Sequence, residues 1–301
     1  MFEIWVPITI AAALAQNVRS SLQKHLKGAL TTAGATYVRF LFAVPFVLIY
    51  LLVLTQFLQL DLPTLNRRFL FFAALGGIGQ ILGTALLIHL FSFRNFVVGT
   101  AFSKTETVQA ALFGFLALSD PITFWAMVAI GISLVGVLLL AVASEKAGIR
   151  EVISSMIRKT TVLGFASGAF FGIAAVSYRA ASLSLESGFV ISAAVTLVVV
   201  LVLQTVAMTI YLFLREPGQL AAVAGAWKVS SVVGLAGMTG STCWFTAMTI
   251  QNAAHVRALG QVELFFTFLS SLLFFREKIN STELFGVSLL VCGIGLLLLW
   301  A

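Results

Sequence analysis

Long apolar segments alternate with short polar connections along the whole chain. Ten segments reach about 20 apolar residues, the length that crosses a bilayer as an α-helix. We expect spans 1 to 10 at residues 4–24, 32–54, 69–91, 96–118, 121–143, 163–183, 188–214, 225–249, 253–275 and 281–300. Almost no sequence remains for a soluble domain, so the pattern predicts an all-α membrane protein with ten transmembrane helices.

The longest polar connection, residues 144–160, lies at the middle of the chain and separates five spans from five. We therefore expect two five-helix repeats, residues 1–143 and 161–301, joined by a cytoplasmic connection. Because five is odd, the second repeat enters the membrane from the opposite side. The two repeats are thus expected to be inverted relative to one another.

Three pairs of residues superpose without a gap when the chain is shifted by 157 residues: Asn95 on Asn252, Glu106 on Glu263, and Gly136 on Gly293. Both glutamates lie inside apolar spans. A carboxylate at membrane depth is costly unless it has a partner or a water-filled cavity, so such acids indicate function. Here the same indication occurs at equivalent positions of both predicted repeats.

Composition supports the membrane assignment: 60% of the residues are hydrophobic, 10% are charged, and the mean hydropathy is +1.07. Soluble domains carry about 25% charged residues. The net charge of +7 does not predict nucleic-acid binding, because the basic residues form no solvated cluster. Cys243 and Cys292 have no metal or redox spacing, and we expect no metal and no cofactor.

Lysine and arginine are unevenly distributed between the connections. Ten follow odd-numbered spans, whereas only Arg67 and Arg68 follow even-numbered ones. Because positive residues favour cytoplasmic loops, we expect both termini outside the cytoplasm of a multi-pass protein of the cell (inner) membrane.

Three local patterns occur in a characteristic order. They are Thr36-Tyr-Val-Arg39-Phe-Leu-Phe-Ala43, Gln261-Val-Glu263 followed by Arg276-Glu277-Lys278, and Leu284-Phe-Gly286 to Gly293. With Lys104-Thr-Glu106 and Ser119-Asp120-Pro121 in the first half, the chain resembles the ten-helix, EamA-type permeases of the drug/metabolite transporter superfamily. The resemblance implies transport of small organic solutes. It departs from the family where Thr107 and Leu264, in place of proline, follow the glutamates.

Six cationic residues lie within the predicted spans: Arg19, Arg39, Lys104, Arg179, Lys228 and Arg257. At roughly 100° per residue, Thr100 and Lys104 share a face of span 4, and Arg257 and Gln261 share a face of span 9. If these faces meet across a cavity, the two cations suit a carboxylate or phosphate of the solute. Superfamily members that carry phosphorylated sugars are similar in placing basic residues on these two helices.

The glutamates are expected to point away from those cations. On straight helices, Glu106 lies about 160° from Lys104, and Glu263 about 120° from Arg257. In a structural interpretation the glutamates pair with neighbouring arginines, for which Arg19 and Arg179 are candidates.

In a functional interpretation one glutamate binds and releases a proton as its surroundings change. His255 is a candidate to assist, because histidine titrates near physiological pH. Arg39 either anchors span 2 or contacts solute. Trp244 and Tyr178 either line an apolar cavity or pack in the core.

We therefore expect a secondary active transporter that moves an amino acid or another anionic or zwitterionic metabolite by alternating access, with export as its direction. The alternative is a proton-coupled antiporter of lipophilic cations. No catalytic motif indicates an enzyme, and no filter-like loop indicates a channel. The expected partners are a small solute, the bilayer and candidate coupled protons, with a monomer or homodimer and no nucleic acid.

Overall fold

The structure is a computed structural model that describes residues 3–26, 30–90, 102–144, 159–273 and 280–300. Every regular element within these ranges is an α-helix. The helices are α1 (Trp5–Leu26), α2 (Thr32–Leu41), α3 (Val44–Gln56), α4 (Arg67–Leu90), α5 (Glu106–Leu118), α6 (Phe124–Ser144), α7 (Lys159–Leu183), α8 (Phe189–Arg215), α9 (Gln219–Gly225), α10 (Trp227–Ile250), α11 (Ala253–Gly260), α12 (Val262–Leu273) and α13 (Ser281–Trp300).

Five helical segments of the described ranges are long and apolar enough to cross a membrane. They are α2 with α3, α4, α7, α8 and α13. A sixth is added if α9 and α10, which meet at an angle of 86°, count as one span. The all-α membrane class is therefore confirmed, whereas the count of ten spans stays a prediction.

Several predicted spans are interrupted. Span 2 comprises α2 and α3, and Pro45 lies in the first turn of α3, where a missing N–H costs no hydrogen bond. Span 9 comprises α11 and α12, which are separated at Gln261. Of span 4, the structure describes residues from 102 onward, so Thr100 lies outside the described residues.

The chain divides into two compact units. Unit 1 contains Met1–Ile81 and Ala174–Gln251, and unit 2 contains Leu82–Ile173 and Asn252–Ala301. Each unit takes segments from both halves of the chain; two of the three boundaries fall inside α4 and α7, and the third lies between α10 and α11. The assignment of residues 1–143 and 161–301 as repeats stays a prediction.

In unit 1, α1 packs against α10 at a small residue. A methyl group placed on Gly240 would lie 3.4 Å from Ala15 Cβ and 3.6 Å from the carbonyl oxygen of Ala12. The helix α2 is joined to α8 by a hydrogen bond of 2.6 Å between the hydroxyl groups of Tyr37 and Thr209. Small residues and interhelical hydrogen bonds are the usual means by which helices associate in lipid.

In unit 2, α6 and α13 approach so closely that glycine is required at their crossing. A methyl group at Gly136 would lie 2.6 Å from the carbonyl oxygen of Gly286, and Gly293 faces Ser133 and Ala129 in the same way. Gly136 and Gly293 are one of the pairs that the sequence alignment superposed. Both serve close helix packing at the same crossing.

Candidate functional site

Two helices of unit 2 are interrupted at positions that the 157-residue alignment makes equivalent. Ahead of α5, the amide of Thr105 donates to Phe102 O at 3.2 Å, and the amide of Thr107 to Lys104 O at 3.5 Å. These bonds span three residues instead of the four of a regular α-helix. The segment around Lys104 is therefore wound more tightly than the helix that follows.

The second interruption repeats this pattern. The amide of Gln261 donates to Ala258 O at 3.2 Å, and the amide of Leu264 to Gln261 O at 2.9 Å. Gln261 is the residue that aligns with Lys104. Short three-residue windings inside a helix are often found at functional hinges.

Three of the four charged residues around these interruptions lie at the helix ends that helix dipoles favour. Arg257 lies in the last turn of α11, and Lys104 immediately precedes α5. Glu106 and Glu263 each lie in the first turn of the following helix, α5 or α12. A helix stabilises anions at its N-terminus and cations at its C-terminus. The breaks thus offset part of the cost of placing Arg257, Glu106 and Glu263 in apolar helices, whereas Lys104, at the N-terminal end of α5, gains nothing from that helix.

The four charges form two crossed ion pairs. Lys104 Nζ donates a hydrogen bond to Glu263 Oε1. Arg257 Nη1 lies 3.7 Å from Glu106 Oε1. The four side chains are only 11–20% exposed. Each pair joins a residue of the first half of the chain to one of the second half.

This pairing corrects the expectation that the glutamates bind Arg19 and Arg179 and point away from Lys104 and Arg257. The expectation assumed straight helices at 100° per residue. A three-residue winding adds about 20° per residue, and the interruption changes the direction of the helix after it. Arg179 instead donates from Nη1 to the carbonyl oxygens of Met248 and Gln251, both at 2.8 Å.

Gln261 links the two interruptions directly. Its Nε2 lies 2.9 Å from Thr107 Oγ1, and its side chain is buried. His255, on α11, is also buried. The structure thus brings Lys104, Gln261 and Arg257 close to the two glutamates, whereas their roles in binding solute or protons stay predictions.

Gln109 is a polar residue of this region that the sequence interpretation missed. It lies one turn after Glu106 and is 7% exposed. Its Nε2 donates to Thr105 Oγ1 at 2.9 Å, and its Oε1 has no hydrogen-bond partner among the described residues. The signal in the sequence is an amide within an apolar span, at the position where the alignment places Phe266 in the second half.

Glycines of α7 allow close contact with the backbone at the start of α5. A methyl group at Gly168 would lie 2.8 Å from Ser103 O and 3.2 Å from Glu106 N, and one at Gly172 would lie 3.1 Å from Ala110 N. Larger residues at these two positions would displace the segment that carries Glu106. The position of this glutamate therefore depends on the packing of α7.

The candidate aromatic residues lie in unit 1 and are packed. Tyr178 is 1% exposed, its hydroxyl donates to Gly76 O at 2.9 Å, and its ring stacks on Phe245 at a centroid distance of 4.3 Å. Trp244 Nε1 donates to Gln16 Oε1 at 3.1 Å. These contacts favour core packing over a cavity lining for both side chains.

The remaining candidate cations also lie in unit 1. The guanidinium of Arg39 is 5.2 Å from the ring centroid of Phe40, a cation–π contact. Arg19 is buried, and its Cδ lies 3.4 Å from the position that a Gly237 methyl group would take. In the described part of the chain, no group of three or more His, Cys, Asp or Glu residues could hold a metal ion.

Comparison with known proteins gives a family match for the second half of the chain. Residues 158–299 match the EamA-like transporter family. No curated protein matches the chain. One similar solved structure, titled "Crystal structure of protein", has a TM-score of 0.68 and 14% sequence identity, and the match covers 98% of this chain and 96% of that one. At this identity the likeness concerns the fold alone.

Proposed function

Because residues 158–299 belong to the EamA-like transporter family, we propose that the protein is a secondary active transporter that carries a small anionic or zwitterionic metabolite by alternating access. An amino acid is the solute class with the best fit. The family makes the protein a multi-pass membrane transporter of small solutes. The solute class that we propose depends on the four charged residues of unit 2.

The observation that supports the solute class is the pair of crossed ion pairs. Lys104, Arg257, Glu106 and Glu263 together carry no net charge, so the site in this arrangement attracts neither anions nor cations strongly. A solute carboxylate can take the place of a glutamate on Arg257 with bidentate geometry. The displaced glutamate then remains beside the solute, where an oxygen of its carboxyl group can accept a hydrogen bond from a solute ammonium group.

The alternative solute is a lipophilic cation bound by a glutamate. Glu106 and Glu263 each already have a cationic partner, and both partners are tethered to the chain. A soluble cation would have to displace a tethered one and leave that positive charge without a partner. This desolvation cost supports a zwitterionic solute, or an anion bound together with a proton, over the cation.

Counterflow in proteoliposomes tests the proposal. Purified full-length protein is reconstituted and preloaded with unlabelled amino acids, organic acids or amines, and uptake of the labelled compound is measured. We expect saturable counterflow for an amino acid or related solute, and its loss in Arg257→Gln. The exposed Arg215→Gln, which removes the same charge at the end of α8, is the matched control.

Absence of saturable counterflow for the whole panel would contradict the proposal, as would full activity of Arg257→Gln. Counterflow of tetraphenylphosphonium that depends on Glu106 or Glu263 would instead support the lipophilic-cation antiporter. Conductance without counterflow would indicate a channel.

A further inference from the structure

The two glutamates of unit 2 occupy equivalent sequence positions but have different partners. Glu263 accepts a hydrogen bond from Lys104. The nearest oxygen of Glu106 lies 3.7 Å from Arg257 Nη1, which is beyond the distance of a direct hydrogen bond. Glu106 is therefore held to Arg257 by charge attraction alone. It can separate from Arg257 without breaking a short hydrogen bond.

Gln109 supplies an acceptor next to Glu106. The hydroxyl of Thr105 donates to Phe102 O at 2.6 Å, so its oxygen can only accept from the side chain of Gln109. The NH₂ group of Gln109 must therefore face Thr105. The same orientation is supported by a second, longer hydrogen bond, in which Gln109 Nε2 donates to Phe165 O at 3.4 Å. The buried Oε1 is consequently the atom left without a partner, and a buried acceptor of this kind is costly.

The three-residue spacing between Glu106 and Gln109 places this acceptor next to Glu106 on α5. Residues three apart on a helix are neighbours on its surface, so Gln109 lies one turn along α5 from Glu106. In the second half the equivalent neighbour of Glu263 is Phe266, which offers no oxygen. Of the two acids, only Glu106 has an amide acceptor one turn further along its own helix; the other buried amide oxygen of this cluster without a partner among the described residues, Gln261 Oε1, precedes α12.

We propose that Glu106 is the glutamate that carries the proton, and that Gln109 accepts a hydrogen bond from its protonated carboxyl group. The inference rests on the proposed transport function, whose coupling it specifies. Glu106 takes a proton from a hydronium ion, leaving water and a neutral carboxylic acid. No other covalent bond changes, and the ion pair with Arg257 opens.

Protonation of Glu106 makes Arg257 available to the solute. Arg257 keeps its own proton, because guanidinium is effectively always charged in proteins. Once Glu106 is neutral, Arg257 can bind the carboxylate of the solute. Proton and solute are then bound in the same state and leave in the reverse order, which specifies symport of one proton with each anionic group rather than antiport.

Other charged groups surround Glu106. Arg257 and His255 lie on α11, Lys104 precedes α5, and Glu263 lies on α12. Electrostatic interactions connect Lys104 with Glu263, Glu106 and Arg257. Where α7 packs against the start of α5, it presents Gly168 and Gly172. His255→Gln is therefore included as a control for a second titrating group.

Infrared difference spectroscopy of the full chain in lipid tests the proposal without a known solute. In Arg257→Gln, the buried Glu106 loses its cation and is expected to become neutral rather than remain charged. A carboxylic C=O band should appear and should vanish when Glu106→Gln is added. Adding Gln109→Leu should move the band to the higher frequency of an acid without a hydrogen bond, whereas His255→Gln should not move it.

Lys104→Gln is the matched background, because it leaves Glu263 without its cation. A band from Glu263 should be insensitive to Gln109→Leu. The proposal is overturned if Gln109→Leu leaves the band of Arg257→Gln unmoved, or if that band belongs to Glu263. These outcomes do not depend on transport, so they are separate from failure of the counterflow assay.

A second measurement uses Gln109→Leu alone, which removes no charge. With a solute identified by counterflow, the pH at which counterflow is half-maximal should shift by about one unit toward acid, the tenfold effect of one lost hydrogen bond to the protonated carboxyl group, while counterflow at acidic pH persists. Phe266→Leu, at the equivalent position of the second half, should change neither. An equal loss of counterflow at every pH would overturn the coupling role and indicate a structural one, and an unchanged pH dependence would also overturn it.

Discussion

Removal of one member of the Lys104–Glu263 ion pair should destabilise the protein much more than removal of both. We consider Lys104→Gln, Glu263→Gln and the double variant, which together form a double-mutant cycle. The two residues come from opposite halves of the chain, and their side chains are 20% and 14% exposed. The cycle therefore reports on a mostly buried contact between the two halves of the chain.

The magnitude follows from the burial of the pair. Either single variant removes the partner of a largely buried ionisable group, which must then stay charged or be neutralised, at a cost of roughly 3–5 kcal/mol. The double variant leaves two amides that can hydrogen-bond to each other, and a neutral hydrogen bond contributes about 1 kcal/mol. The single effects sum to roughly 6–10 kcal/mol, so a double variant that loses only about 1 kcal/mol should be about 5 kcal/mol or more above that sum, beyond the roughly 0.5–3 kcal/mol usual for residues in contact.

Stability can be followed by thermal unfolding in detergent, monitored by size-exclusion chromatography, and transport by counterflow in proteoliposomes. We expect the double variant to recover most of its stability but not its transport, because Lys104, one of the two candidate cations for the solute carboxylate, is gone. Arg215→Gln, on the exposed end of α8, should leave both measurements unchanged.

Additive effects of the two single variants would refute the reasoning, since they would mean that the two side chains do not interact. Full recovery of transport in the double variant would contradict a role for this pair in solute binding. Those two results test different steps, the first the contact and the second its function.

Three further changes test the packing around the site and at the end of α10. Gly168→Ala places a methyl group 2.8 Å from Ser103 O and should reduce counterflow by displacing the start of α5, whereas Gly131→Ala, which has open space, should not. Gly136→Ala should lower stability in thermal unfolding by roughly 1–3 kcal/mol, the cost of overpacking. Arg179→Met removes the donor to the carbonyls that end α10 and should speed amide hydrogen exchange there, with a stability cost of about 1–3 kcal/mol. Unchanged exchange in that variant would contradict its capping role.

Much of the candidate site could be predicted from the order of residue types. Glu106 and Glu263 were found from their burial in apolar segments and from the 157-residue alignment. Lys104 and Arg257 were found from their depth within those segments. Gln109 was missed because an amide in an apolar span gives a weak signal until its unsatisfied oxygen is observed.

The pairing of the four charges could not be predicted in the same way. The angular argument that separated Lys104 from Glu106 was valid for a regular helix, but the backbone around Lys104 and Gln261 uses three-residue hydrogen bonds. Such a local winding has no distinct residue pattern here, since the family's proline is absent after both glutamates. The ion pairs of the structure therefore use Lys104 and Arg257 in place of the candidate partners Arg19 and Arg179.

The linear order of amino acids was sufficient for the class of protein, because the length and hydrophobicity of a membrane helix are properties of one continuous segment. It was also sufficient to identify which charges are costly to bury. Only tertiary structure could pair Lys104 with Glu263 and Arg257 with Glu106, because residues about 150 positions apart meet through helix breaks and glycine contacts that no single segment specifies. The same packing leaves the amide oxygen of Gln109 without a partner one turn from Glu106.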